Sequence, residues 1–128
     1  MSFLDLNLSN VEDLKLVPDG EYLLQCQTAE VKNSQKGGRY INLRFALPNE
    51  PTAEDLYHIL MLPDNSDAKK DHRRLLAIKQ MCKAMGVDLD APLDLDDIVS
   101  RECYAILTTQ EDQQYGDKNV IKTFVVGR

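Results

Sequence analysis

Tyr40-Ile41-Asn42-Leu43-Arg44-Phe45-Ala46-Leu47 is the stretch on which the fold turns. Ile41, Leu43, Phe45 and Leu47 alternate with Tyr40, Asn42 and Arg44, a period of two that a pleated strand satisfies and a helix does not. One face of this strand is dry, and the other carries a ring, an amide and a guanidinium. Just before it, Gly37-Gly38 permits the positive φ values of a hairpin return. The polar loop over residues 32–38 therefore leads back to an earlier strand over residues 21–31, where Tyr22, Leu24 and Cys26 alternate with Glu21, Gln25 and Gln27. That strand is preceded by a turn, Val17-Pro18-Asp19-Gly20, and by a stretch mixing Leu with Asp and no sustained period. Residues 1–19 are accordingly expected to form a lead-in segment, and residues 20–128 the folded domain.

Downstream, Pro48 and Pro51 bracket a loop. The apolar run over residues 56–62, broken by His58, is too short for a typical helix and reads as a third strand. Its register is open: either Tyr57, Ile59 and Met61 or Leu56, His58, Leu60 and Leu62 face the core. Leu75, Ile78, Cys82 and Met85 then recur at helical spacing, with turn and N-cap residues before them and Gly86 just beyond, which predicts a helix over residues 68–85. Residues 88–100 are acidic and loop-like, with room for one helical turn. Two further strands, over residues 101–110 and 119–126, are joined by a loop that bends at Gly116. Three strands, a helix and two strands make the chain mainly β. This is the order of the OB-fold, a five-stranded Greek-key barrel with its helix between strands 3 and 4, often used to hold oligonucleotides.

Composition narrows the function classes. The 128 residues carry a net charge of −6, unevenly spread: residues 1–29 hold five acids and one Lys, residues 30–85 ten Lys or Arg against seven acids, and residues 86–128 nine acids against four bases. A basic middle between acidic flanks fits a cationic groove on an acidic body, and a plain solvated surface gives similar counts. No stretch resembles a membrane span or secretory signal, so a cytoplasmic protein is expected. Cys26, Cys82 and Cys103 are odd in number, far apart and set in apolar stretches, and read as small buried hydrophobes.

No enzyme, metal or cofactor is expected. His58 and His72 are isolated, and no zinc spacing or phosphate-cradling glycine loop occurs. The acidic run Asp88, Asp90, Asp94, Asp96 and Asp97 lacks the central glycine and closing glutamate of a helix-loop-helix calcium site.

Several motifs occur together in a fixed order: Pro18-Asp19-Gly20-Glu21-Tyr22, Gly37-Gly38-Arg39-Tyr40-Ile41, Leu60-Met61-Leu62-Pro63-Asp64-Asn65, Ala84-Met85-Gly86-Val87 and Gly116-Asp117-Lys118-Asn119-Val120-Ile121-Lys122. In that order and spacing the chain resembles, from Phe3 to Val126, a family of bacteriophage proteins long catalogued as uncharacterised and related to phage single-stranded DNA-binding proteins. The resemblance implies an OB-fold that coats DNA strands exposed in phage replication or recombination, in the host cytoplasm. Its expected partners are single-stranded DNA and, beyond it, replication or recombination proteins or further copies of the chain, with the oligomeric state left open by the sequence. Many such proteins end in an acidic tail that recruits partners, whereas this sequence ends at Val125-Val126-Gly127-Arg128. On the same comparison the segment over residues 88–97 or the N-terminal Leu and Asp stretch takes that role, or recruitment is absent.

Binding a single strand without sequence choice needs cations for phosphates and planar groups for bases. The outward face of the second strand supplies Tyr40, Asn42 and Arg44, and the preceding loop adds Lys32, Lys36 and Arg39. Tyr115 at the tip of the last hairpin, with Lys118 and Lys122 beyond it, is expected to form the opposing lip, and Tyr57 to contribute from the third strand. For each there is a plain structural alternative: Tyr40 closing its hairpin, Tyr57 in the core, Tyr115 folded onto its own strands, and the cations merely solvated. Lys69, Lys70, Arg73 and Arg74 sit in the first turns of the helix, where the macrodipole disfavours cations. They either extend a basic track or form a solvated face. The competing function is an OB-like protein-interaction domain presenting its groove or an open strand edge to a host or phage protein, and a metal-dependent nuclease built on the acidic run is the third.

Overall fold

A computed structural model describes residues 2–127, so Met1 and Arg128, the outermost positions of the two expected segments, lie outside the described residues. In chain order the elements are a short 3-10 turn (Leu8–Asn10), β1 (Gly20–Asn33), β2 (Arg39–Ala46), β3 (Leu56–Met61), α1 (Ala68–Met85), the single turn α2 (Leu95–Ile98), β4 (Glu102–Gln110) and β5 (Lys118–Val125). The strands form one antiparallel sheet in the order β3-β2-β1-β4-β5, mainly β with the main helix between strands 3 and 4, as the sequence predicts.

β1 is the shared element. Its first half, Gly20 to Gln25, pairs with β4, and its second half, Gln25 to Asn33, pairs with β2. Between Cys26 and Thr28 the register slips, so Gln27 is an extra residue. A bulge of this kind bends a strand and increases its twist. At the bend the loop after α2 takes over the pairing of Cys26, whose N–H donates to the Arg101 carbonyl (3.0 Å) and whose carbonyl accepts from the Ser100 N–H (2.8 Å).

The bend carries the two edge strands toward one another. Among the described residues no ladder joins β3 to β5, so the barrel stays open along a seam. Different devices close the two ends of that seam. At one end the lead-in segment fills it. The Lys15 N–H donates to the Thr52 carbonyl (2.8 Å), the Lys15 carbonyl accepts from the Glu54 N–H (3.0 Å), and buried Asn119 of β5 grips Val17 through both its amide oxygen (2.9 Å) and its amide nitrogen (3.0 Å). The lead-in thus joins the fold at Lys15, two residues before the expected turn that begins at Val17. Further along, His58 of β3 meets Phe124 of β5 edge-on, with ring centroids 5.4 Å apart, and Phe124 also packs on Phe45.

The open register of β3 is resolved as Leu56, His58 and Leu60 inward, with Tyr57 and Ile59 exposed. They join Leu24, Cys26, Ile41, Leu43, Phe45, Cys103, Ala105 and Leu107 beneath α1, which contributes Ile78, Met81, Cys82 and Met85. The spacing expected Leu75 in this stripe, yet Leu75 is 52% exposed and Met81 is buried in its place. The reason is that α1 buries only its C-terminal half, whereas its first turns are held by polar ties. Asp67 caps Lys69 and Lys70, and Gly86 closes the far end at φ 74°. Arg74 is one of those ties rather than part of a basic track: its Nη1 donates to the Leu62 carbonyl (3.1 Å) and lies 3.4 Å from Asp64. Hydrogen bonds from Ser66, helped by Arg74, hold the Asp64 carboxyl down to about 2. The three cysteines are buried thiols, with Cys103 pushed up to about 12 by burial and by Cys26 beside it. No helix among the described residues is long and apolar enough to cross a membrane.

Replacing Asn119 with Ala strands a buried N–H and a buried carbonyl on Val17. Urea titration is expected to show a loss of roughly 2–4 kcal/mol, with new protease cleavage near Lys15 under native conditions.

Burial also holds the His58 imidazole below its ordinary value. The unfolded chain then binds a proton that the folded chain refuses as pH falls through about 6.5, so stability is full above that pH and declines below it until the folded-state value is passed. His58→Phe keeps a ring against Phe124 but cannot titrate. Thermal melts of this variant are expected to lose the part of the decline below about pH 6.5 that belongs to His58.

Candidate nucleic-acid interface

Antiparallel pairing fixes which side chains share the outer face of β1, β2 and β3. Cross-strand partners stand side by side on one face, so the register gives three rows: Lys32, Tyr40 and Met61; Glu30, Asn42 and Ile59; Thr28, Arg44 and Tyr57. Tyr40 and Arg44 therefore lie on one surface. Tyr57, 60% exposed, is beside Arg44, with its ring out of the core. Tyr40 and Tyr57 are separated by four residues of strand, about 13 Å, so they would stack on different bases.

Two hollows mark the ends of this surface. The first, about 470 Å³, lies against the β1–β2 loop and is lined by Tyr40, Ile59, Met61, Lys36 and Asn33. That loop is held by the Ser34 N–H donating to the Gly38 carbonyl, with Gly37 and Gly38 at φ 90° and 80°, values a side chain would oppose. The second, about 120 Å³, is lined by Tyr57, Asp55, Leu16, Lys118 and Asn119. Tyr57 and the foot of β5 thus line one hollow, and the surface of β2 and β3 between the two hollows is termed the trough.

At that far loop Asp112 accepts from the Gln114 N–H (2.8 Å) and the Tyr115 N–H (3.1 Å), contacts that keep its carboxyl below the usual carboxylate value. The resulting turn presents Tyr115 outward, 81% exposed rather than folded back. Arg39 pairs with Asn33 one register step from Tyr40, so strand alternation starts it toward the other face at the sheet rim. Lys122 lies apart from the trough, in a hollow at the β3–β5 seam beside Gln80 and His58.

Electrostatically the trough is mixed. Arg44 Nε lies 3.5 Å from an Asp55 carboxylate oxygen, both half-exposed, while that same Nε is shut away from solvent without a hydrogen-bond acceptor. Charge-assisted hydrogen bonds are shorter, about 2.7–2.9 Å. Asp55 therefore neutralises the guanidinium without satisfying it. Glu30 and Glu54 add negative charge at the margins, and Lys32, Lys36 and Lys118 are its other cations.

The family described as "Protein of unknown function (DUF669)" matches residues 4–122. The chain belongs to this family. None of the curated proteins compared with it matches. The family description attaches no chemistry to the fold, so the surface of this DUF669 chain has to carry the functional argument.

Two of its surface residues escaped the reading of the sequence. Ile59 and Met61 floor the first hollow, and Ile59 is 55% exposed in mid-strand. Their signal was present: once Tyr57 faces outward, a period of two carries both residues out with it. Together with the rings of Tyr40 and Tyr57, they make the outer face of β2 and β3 part apolar.

Proposed function

We propose that this DUF669 protein binds single-stranded DNA with little sequence preference, covering strands exposed in phage DNA replication or recombination. The observation that carries the reading is the outer face of β2 and β3, where two separated tyrosine rings and the apolar Ile59 and Met61 alternate with Asn42 and Arg44. Every base has a π-face, so rings on a sheet hold bases without choosing among them, at about 1–3 kcal/mol per stacked base. The neighbouring loops supply Lys36 on one side and Lys118 and Tyr115 on the other, the places where OB-folds grip oligonucleotides. The phage setting rests on the resemblance described above. No hydrolytic or redox step enters this reading, and no cofactor is required.

The mixed charge of the trough shapes the binding. With Arg44 engaged by Asp55, three cations, Lys32, Lys36 and Lys118, are available to phosphates, and stacking supplies most of the affinity. Anisotropy titrations with labelled oligo-dT are expected to show a log-log salt slope of about −2, from about −0.7 per phosphate contacted. Tyr40→Ala and Tyr57→Ala are each expected to weaken binding by roughly 5- to 150-fold, whereas Lys122→Ala leaves it unchanged. Duplex DNA should bind more weakly, because its bases are not open to stacking. Absence of binding at low salt would end the proposal and leave the protein-interaction reading of the same surface.

Asp55→Asn separates this electrostatic account from a simple count of cations. Releasing Arg44 adds a fourth phosphate contact, so affinity should rise at low salt and the slope should steepen to about −3. An unchanged slope would show that Arg44 takes no part.

A further inference from the structure

We propose that the outward face of α1 is a second nucleic-acid surface, separate from the trough, that holds the phosphate backbone of DNA, duplex included, by charge alone. Lys69, Arg73, Leu76, Gln80 and Lys83 follow one another at steps of four and three residues and are all exposed, so they form one stripe. The opposite stripe of the same helix, Ile78, Met81, Cys82 and Met85, lies on the core. Lys70 and Lys79 flank the exposed stripe, one on each side. At the β3–β5 seam a hollow of about 160 Å³ sets Ala77 and Gln80 of α1 beside Lys122 of β5, and no carboxylate lines it, so the positive surface continues onto the sheet.

These cations are placed against the stability of the helix. A solvated helix face gains from opposite charges three or four residues apart, and like charges at that spacing cost a similar amount. Lys69 and Arg73 are like charges four apart, and so are Lys79 and Lys83. Lys69 and Lys70 also stand in the first turn, where the macrodipole opposes a cation; Lys83, in the last turn, is favoured by it. Among the described residues none of these five is in an ion pair. The acids nearby are engaged elsewhere. Asp67 accepts from the backbone N–H groups of Lys69 and Lys70, and Asp71, the helix's own carboxylate, accepts from those of Asp64 and Asn65. Asp88 and Asp90 face Lys79 across the groove on one flank, which offsets that one charge and leaves the stripe itself positive.

The chemistry of the stripe selects its partner. A protein segment is held by desolvated anchors, and a membrane takes the apolar face of a helix. Leu76, 44% exposed, is the one apolar member of the stripe, and the apolar face of α1 is already on the core. Phosphates need cations and nothing more. From Lys69 to Lys83 the helix rises roughly 21 Å, a length over which one strand of a duplex presents about six phosphates. α1 contains no Phe, Tyr or Trp to stack on bases, so it does not require them to be unpaired. The choice of DNA among polyanions rests on the reading of the trough, whereas the positive surface does not. A strand exposed in replication borders duplex, and this face would grip the duplex side.

Anisotropy titrations with a labelled duplex of about 15 base pairs, beside a short oligo-dT that fills only the trough, separate the two surfaces. Lys69→Gln with Arg73→Gln is expected to weaken duplex binding more than about tenfold at about 50 mM salt and to make its log-log salt slope shallower by about 2, while oligo-dT binds as to wild type. Lys69→Arg with Arg73→Lys keeps both charges and should hold duplex as wild type does. Because like charges and the macrodipole both oppose this pair, the glutamine variant should melt at or above the wild-type temperature. Wild type that binds oligo-dT but not duplex overturns this proposal alone, and wild type that binds duplex but not oligo-dT supports it and ends the trough reading alone. Duplex binding that survives the glutamine variant, or is lost in the charge-preserving one, also overturns it. So does a lower melting temperature of the glutamine variant, which would give these cations a role in the fold. Capture of a poly-glutamate peptide in place of duplex would overturn it too and assign the face to an acidic protein segment.

Discussion

The fold depends on one bend. β1 is too long to remain flat beneath two partners, and the extra residue at Gln27 lets it serve β4 with its first half and β2 with its second. The bend is costly unless the backbone groups it frees find partners. Ser100 and Arg101 supply them at Cys26, which is why Ser100 is found at φ 75°, a conformation unusual for a residue with a side chain. From this irregularity, together with a second bulge at Lys122 where β5 pairs with β4, follow the curl of the sheet, the approach of β3 to β5 and the inward crowding of Leu24, Leu43, Phe45 and Leu107, all fully buried.

A curled but unclosed sheet has two exposed edges, and unpaired strand edges invite association. Here the edges face each other rather than solvent. Asn119 acts as a substitute for ladder pairing, because one side-chain amide presents a donor and an acceptor in the arrangement a backbone peptide would. It holds Val17 against β5 while Lys15 is held against the segment before β3. The N-terminal segment is therefore part of the barrel wall up to about Lys15 and becomes a projecting arm only before it.

Much of this was readable from residues alone, for identifiable reasons. The alternation over 40–47 specified β2 and its faces because one side is wholly apolar. Asp67 and Gly86 bounded α1 because caps are chemical signals at fixed positions. The face of β3 was not legible, since Leu56 to Leu62 is apolar in both registers and only cross-strand pairing with β2 selects one. Leu75 matched the helical period, but periodicity says which residues share a stripe and not how far along a helix the sheet extends. Arg74 and Lys122 were likewise beyond reach: whether a cation joins a groove, a strand–helix joint or a seam depends on contacts between residues far apart in sequence. The grouping of Tyr40, Arg44 and Tyr57 was half legible, because the first two share a strand and the third needed the register of another.

Net charge remains the strongest objection to a polyanionic ligand, and the structure changes its weight. Many of the aspartates have local structural duties: Asp67 and Asp94 cap helices, Asp71 receives the Asp64 and Asn65 N–H groups, Asp97 grips Arg101 through both oxygens, and Asp112 folds the β4–β5 turn. These positions follow the helices and turns, not the outer face of β2 and β3. Charges more than about 10 Å apart are largely screened at ordinary ionic strength. A ligand in the trough thus responds to Arg44, Lys36 and Lys118 and to the nearby Asp55, Glu54 and Glu30 rather than to the total of −6. The acidity of the chain is in part a by-product of how its turns and helix ends are made, and the charges beside Tyr57 weigh more on that surface than the total does.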